Sequence, residues 1–160
     1  MKMRLQLANA SFMGRLQYML QTYTNLTSLQ FSKIHTVMMR MARWTKVEYV
    51  PRERNSSILK ALNWLPLKQM IIVSGIKVMH NIIQTQEPTS LYKMLRIPRR
   101  KTAMIGMKNY PKKQKLSKTM MYLTLKEYNN LPEKLKLTEK VKFKSRVNTY
   151  FRSRFRKEPG

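Results

Sequence analysis

The chain contains no cysteine and no aspartate, and each absence removes a class of chemistry. Without thiols there can be no disulfide and no thiolate zinc site, and the redox compartment stays undetermined. The seven acids are all glutamates, at 48, 53, 87, 127, 133, 139 and 158. Two-metal phosphoryl transfer converges carboxylates on its ions, most often aspartates, so polymerase or nuclease chemistry is not expected here and the chain does not read as an enzyme. Neither His35 nor His80 has a partner at ligand spacing; both read as packing histidines, and no metal or cofactor is expected. Long apolar runs are missing too. The longest, residues 70–73, is far too short to cross a bilayer, so no membrane span is expected. Residues 1–20 are interrupted by Lys2, Arg4, Asn9 and Arg15, which argues against a secretory signal. Their basic, acid-free character also fits a mitochondrial presequence, although this first helix runs directly into a second.

What the chain has in excess is positive charge. It carries 33 Lys and Arg against 7 acids, a net charge of +26 over 160 residues. Residues 1–90 hold 12 basic and 3 acidic side chains, and residues 91–160 hold 21 and 4. Solubility of a small domain needs a net charge of only about 2 to 8, so a merely solvated surface does not account for the excess. Such a chain repels itself when compact, and an anionic partner that relieves the repulsion is expected, nucleic acid first. The length allows one domain or two small halves, and a single fold of this size buries roughly 70% of its unfolded surface.

The densest apolar content lies in residues 57–84. Ser57 is placed to cap a short helix burying Ile58, Leu59 and Leu62, and Asn63-Trp64-Leu65 breaks it before Pro66. A second helix starting at Pro66 puts Leu67, Met70, Ile71, Ser74, Val78 and Ile82 on one stripe, which makes it the core spine. Trp64 sits in the corner between the two, its indole N–H needing one partner. Residues 3–23 align Leu5, Ala8, Phe12, Leu16, Met19 and Tyr23 as an amphipathic helix despite Gly14. Residues 28–44 do the same for Phe31, Ile34, Met38, Met41 and Ala42. Gln86-Glu87-Pro88 ends the spine, and Thr89-Ser90 can cap a short helix over Leu91, Met94 and Leu95. From 96 to 118 the periodicity dissolves into a basic loop or hairpin, with one edge strand possible at 102–107. Asn129-Asn130 signals a turn, Pro132 opens a short helix, and Thr138 is placed to cap a last one from 139 to 154. That helix turns Val141, Phe143, Val147, Tyr150 and Phe151 inward and ends in the cationic tail 152–157. The expected fold is mainly α: a helical core over 1–95, a basic loop over 96–118, and C-terminal helices with a basic tail over 119–160.

Several blocks taken together resemble one family. They are Phe31-Ser-Lys-Ile-His-Thr-Val-Met-Met-Arg40, then Leu59-Lys-Ala-Leu-Asn-Trp-Leu-Pro66 leading into Ile76-Lys-Val-Met-His-Asn-Ile-Ile83. Glu87-Pro-Thr-Ser-Leu-Tyr92, Glu127-Tyr-Asn-Asn-Leu-Pro132 and Phe143-Lys-Ser-Arg-Val-Asn-Thr-Tyr150 follow. In order and spacing they look like the segment downstream of the polymerase core in the reverse transcriptases of non-LTR retrotransposons of the jockey or chicken-repeat kind. His35 and Thr36 stand where that family usually has Gln-Asn, Tyr128 where it has Trp, and Gln69 or Met70 where Arg is common. The resemblance implies a helical thumb-to-C-terminal region that grips template RNA or a primer duplex. The aspartate-bearing fingers and palm are not in this chain, so no catalytic role carries over.

The sequence thus points to a non-catalytic module that binds RNA or an RNA/DNA hybrid through shape and phosphate contacts. Arg99, Arg100, Lys101, Lys112, Lys113, Lys115, Arg152, Arg154 and Arg156 are the candidate phosphate ligands, with Tyr110 and Tyr122 as candidate stacking residues. An alternative is a structural RNA-binding protein of a ribonucleoprotein particle such as a mitochondrial ribosome, with other proteins of the complex as further partners. A third is a cationic binder of membrane surfaces or acidic proteins. The expected location is nucleus or cytoplasm, with the mitochondrion as the alternative.

Overall fold

The structure is a computed structural model that describes residues 2–20, 26–46, 52–98, 104–107 and 120–157. It is mainly α-helical, as the periodicity predicts. The chain falls into two compact units, one of Met1–Ile71 with Tyr150–Gly160 and the other of Ile72–Thr149.

Unit 1 begins with α1 (Lys2–Leu7), a π-helical segment (Ala8–Met13) and α2 (Gly14–Met19). In the wide turn the Gly14 N–H donates to the Asn9 carbonyl five residues back. That extra residue slips the apolar stripe. Ala8, Met13, Leu16 and Leu20 are buried, whereas Met19, expected inside, is exposed and Phe12 is only half-buried. Tyr23 lies outside the described residues. Then α3 (Ser28–Lys46) buries Met38, Met39, Ala42 and Thr45, with Phe31, Ile34 and Met41 half-buried. Lys46 forms an ion pair with Glu53.

The short helix α4 (Asn55–Ala61) starts earlier than expected, because Arg54 is the last extended residue and no side chain caps the turn. Ser57 is therefore inside the first turn and is not the cap; the Asn55 amide oxygen accepts from Arg43 Nη2 at 2.8 Å. The helix ends at Asn63, which has φ 57°. The Asn63 N–H donates to the Lys60 carbonyl at 3.1 Å and the Trp64 N–H to the Leu59 carbonyl at 2.9 Å, the two bonds of a Schellman end. The break thus comes from a left-handed asparagine, two residues before the pre-proline Leu65. α5 (Leu67–Thr85) follows, with the Pro66 carbonyl accepting the Met70 N–H at 3.0 Å, so Pro66 precedes the first helical residue. Leu67, Met70, Ile71, Ser74 and Ile82 are buried as expected. Val78 is not: it is 38% exposed, and Val73, Ile76, Met79 and His80 are buried instead.

In unit 2, Gln86 at φ 60° closes α5, and α6 (Thr89–Met94) starts from the extended Pro88 with no side-chain cap from Thr89 or Ser90. Of its expected core residues Leu91 is half-buried and Met94 exposed, while Leu95 is buried in β1. Strands β1 (Leu95–Arg96) and β2 (Gly106–Met107) pair antiparallel, Leu95 opposite Met107, which gives the basic stretch a hairpin base. The side chain of Asn129 clasps that base: its amide donates to the Ile105 carbonyl at 2.9 Å and its oxygen accepts the Ile105 N–H at 3.0 Å. Asn129 ends α7 (Met120–Asn129), and α8 (Glu133–Lys136) follows Pro132. The last helix, α9 (Lys140–Lys157), starts after Thr138, whose hydroxyl donates backward to the Lys134 carbonyl at 2.8 Å. Thr138 therefore terminates α8 and does not cap α9. Along α9, Phe143, Val147, Phe151 and Phe155 are buried at four-residue intervals. Val141, expected inside, is 84% exposed because it falls off that ridge.

Candidate nucleic-acid interface

Six of the nine candidate phosphate ligands, Arg99, Arg100, Lys101, Lys112, Lys113 and Lys115, lie outside the described residues, as does Tyr110. Tyr122 is half-buried on α7. The remaining three, Arg152, Arg154 and Arg156, are exposed on the last turns of α9. Far from being a solvated tail, these turns are anchored by Phe151 and Phe155.

A turn of 100° per residue puts Arg152 and Arg156 on one flank of the Phe151–Phe155 ridge and Arg154 on the other. On the first flank, Arg152, Phe155 and Arg156 line a narrow crevice with Lys60, Asn63 and Trp64, all within unit 1. Lys60 Nζ stands over the Phe155 ring at 5.4 Å from its centre, a cation–π contact. Arg156 Nη2 donates to Asn63 Oδ1 at 3.0 Å. Asn63 can offer that oxygen because its backbone is held left-handed at the end of α4. Trp64 is held in turn: its indole N–H donates to Asn9 Oδ1 at 2.9 Å, the single partner its ring requires. The crevice itself is too tight for a water, so an anion would rest on its rim, where the guanidinium of Arg156 is fixed by a neutral amide that leaves its charge intact. No described residue lining the crevice is acidic.

Sequence reasoning missed Lys60, Asn63 and Phe155. Phe155 continues the Phe143, Val147, Phe151 spacing and was legible; Lys60 and Asn63 join the arginines only through the tertiary fold.

Unit 2 holds a second polar cluster of different character. His80 is buried and its ring stacks on Phe143 with centres 3.6 Å apart. His80 Nε2 lies 3.1 Å from the Thr138 carbonyl, which only accepts, so Nε2 carries the proton and Nδ1 accepts from the Tyr128 hydroxyl at 3.2 Å. Desolvation lowers the His80 pKa, opposed by the Thr138 hydrogen bond. Burial also pushes the Tyr128 phenol up to about 12. Beside them Lys136 Nζ donates to the Asn129 carbonyl at 2.6 Å; burial lowers its pKa and Glu133 pulls the other way. All donors and acceptors of the imidazole are spent, so this cluster packs the unit and is not poised for proton transfer. Among the described residues no three His, Asp, Glu or Cys side chains come together as a metal site. Nor is any described helix long and apolar enough to cross a membrane. No family model, no curated protein and no solved structure matches the chain.

Proposed function

We propose that this chain is a non-catalytic nucleic-acid-binding module that grips the sugar–phosphate backbone of RNA or an RNA/DNA hybrid. The observation that carries the reading is the crevice rim of exposed Arg152 and Arg156 beside the half-buried Lys60 on a chain of net charge +26, with Lys60 over the Phe155 ring and Arg156 bonded to the Asn63 amide. Preset guanidinium geometry suits phosphate oxygens, and backbone contacts of this kind hold a duplex without reading its bases. Descent from the C-terminal region of a non-LTR retrotransposon reverse transcriptase is part of the proposal, resting on the sequence blocks around Trp64, Tyr128 and Phe143.

Titration of a short RNA duplex and an RNA/DNA hybrid against salt tests it. Affinity falls by about 0.7 to 0.9 log units per log unit of salt for each phosphate neutralised. Arg152→Gln and Arg156→Gln each lower that slope by about 1 and weaken binding alike for all sequences. Asn63→Gly keeps the left-handed helix end but releases Arg156, and weakens binding without removing charge. An affinity indifferent to salt, or arginine variants that change sequence preference, sinks the reading.

The absence of any acid before Glu48 favours one second reading, a structural protein of a ribonucleoprotein particle such as a mitochondrial ribosome. Co-sedimentation with a particle in native extract, and a mitochondrial location in place of a nuclear or cytoplasmic one, would select it.

A further inference from the structure

We infer that the N-terminal helices of unit 1 carry a docking groove for an acidic amphipathic helix of another protein, separate from the basic rim. Phe12, Leu16 and Met19 form one wall of a groove of about 290 Å³, and Ile34 and Val37 of α3 form the other. The walls are ridges at three- and four-residue spacing, the surface into which a third helix sets its own ridge. Apolar side chains are part-exposed here: Val37 is 49% exposed, Met19 46%, and Tyr18, just outside the groove, 85%. Part-exposed apolar side chains facing one another across two helices form the kind of surface that a partner helix covers. Met19 on the first wall has the unbranched, adaptable side chain that fits itself to a partner's ridge.

Charge selects the occupant. Arg15 and Lys33 sit at the groove, one on each wall. Through residue 47 the sequence has seven basic side chains and no acid. A helix with an apolar stripe flanked by glutamates or aspartates matches both features. A second copy of this chain brings the same charge against itself, and a flat lipid surface does not fill a concave groove.

The test uses the full chain and a synthetic peptide of roughly 18 residues, with leucines at i, i+3, i+4 and i+7 and glutamates on the flanks, long enough to become helical when bound. A scrambled peptide of the same composition is the control. The patterned peptide binds at least about tenfold tighter than the scrambled one, a ratio worth about 1.4 kcal/mol. Val37→Lys and Met19→Lys, both at exposed positions, each weaken it about tenfold although they raise the protein's positive charge; general electrostatic attraction would do the opposite. Circular dichroism confirms that the variants keep their helix content. Equal binding of the two peptides, or lysine variants that bind as well as the parent, overturns the inference. So does a dimer in sedimentation that Val37→Lys dissociates, or uptake by anionic vesicles that the same substitution abolishes. RNA affinity is read separately, and its failure would leave this groove untouched.

Discussion

The two units spend their polar groups in opposite ways. In unit 1 the amides of Asn9 and Asn63 each satisfy one large side chain, Trp64 and Arg156, while Arg152 and Arg156 stay exposed. In unit 2 the polar atoms of His80, Tyr128 and Thr138 close on one another behind Phe143. A hydrogen bond to a neutral amide leaves a cation's charge available to a ligand. A buried, mutually satisfied cluster leaves nothing, but fixes one packing arrangement. The described cations of the proposed rim thus lie in unit 1, whereas substitutions within the His80 cluster of unit 2 should act on stability alone.

The largest test of that contrast is Trp64→Ala. It removes a buried ring and the indole bond to Asn9 Oδ1, at a cost of about 3–5 kcal/mol. Because Trp64 also lines the crevice beside Arg156, RNA affinity measured below the melting point should fall with it. An intact affinity would detach the rim from the Trp64 corner.

Next comes Gly75→Ala in unit 2. A Cβ there would stand 2.4 Å from Thr124 Oγ1 and 3.0 Å from Thr124 Cγ2, so the buried Thr124 side chain must shift despite alanine's better helix propensity. The expected loss is about 1–3 kcal/mol by urea denaturation. Pairing it with Thr124→Ala should recover most of that loss, since the two nearest atoms are gone. A single variant as stable as the parent would mean that unit 2 is not tightly packed at this crossing.

A smaller effect depends on pH. Burial lowers the His80 pKa below 6.5, so the unfolded chain takes up a proton before the folded one does. Stability is then fully present above about pH 6.5 and is lost as pH falls below that value. The urea midpoint should drop between about pH 7.5 and pH 5, and His80→Gln, which keeps a donor and an acceptor, should flatten the change. An unaltered pH profile in the variant would show that His80 is not the group responsible.

Much of this was legible in the sequence, and the remainder has identifiable physical causes. Helices 28–46 and 67–85 follow from the period of their apolar residues, and the hidden Trp64 from its place before Pro66. The caps at Ser57 and Thr89 did not form because α4 and α6 start from the extended Arg54 and Pro88, and the Thr138 hydroxyl turns back to the Lys134 carbonyl instead. Val78 and Val141 were misplaced since a single-stripe reading cannot tell which flank of a helix its neighbours cover. Arg152 and Arg156 could be chosen from composition, whereas Lys60 and Asn63 needed the tertiary fold to bring residues about 90 positions apart together.

The smallest effect probes the turn that slipped the first apolar stripe. Gly14 closes the π-helical segment with ordinary helical angles, φ −60° and ψ −50°, so its backbone does not require glycine. A Cβ would meet only the Asn9 carbonyl oxygen, at 3.6 Å, which is ordinary contact. Gly14→Ala should therefore stabilise the protein by about 0.5–1 kcal/mol by restricting the unfolded chain, the reverse of the same substitution at Gly75. In a chain of this size that raises the melting temperature by roughly 1–4 °C. The wide turn aims Asn9 at Trp64, and alanine leaves that aim unchanged, so the tryptophan emission should stay as it is. A lower melting temperature would show that the wide turn is held under strain that only glycine relieves.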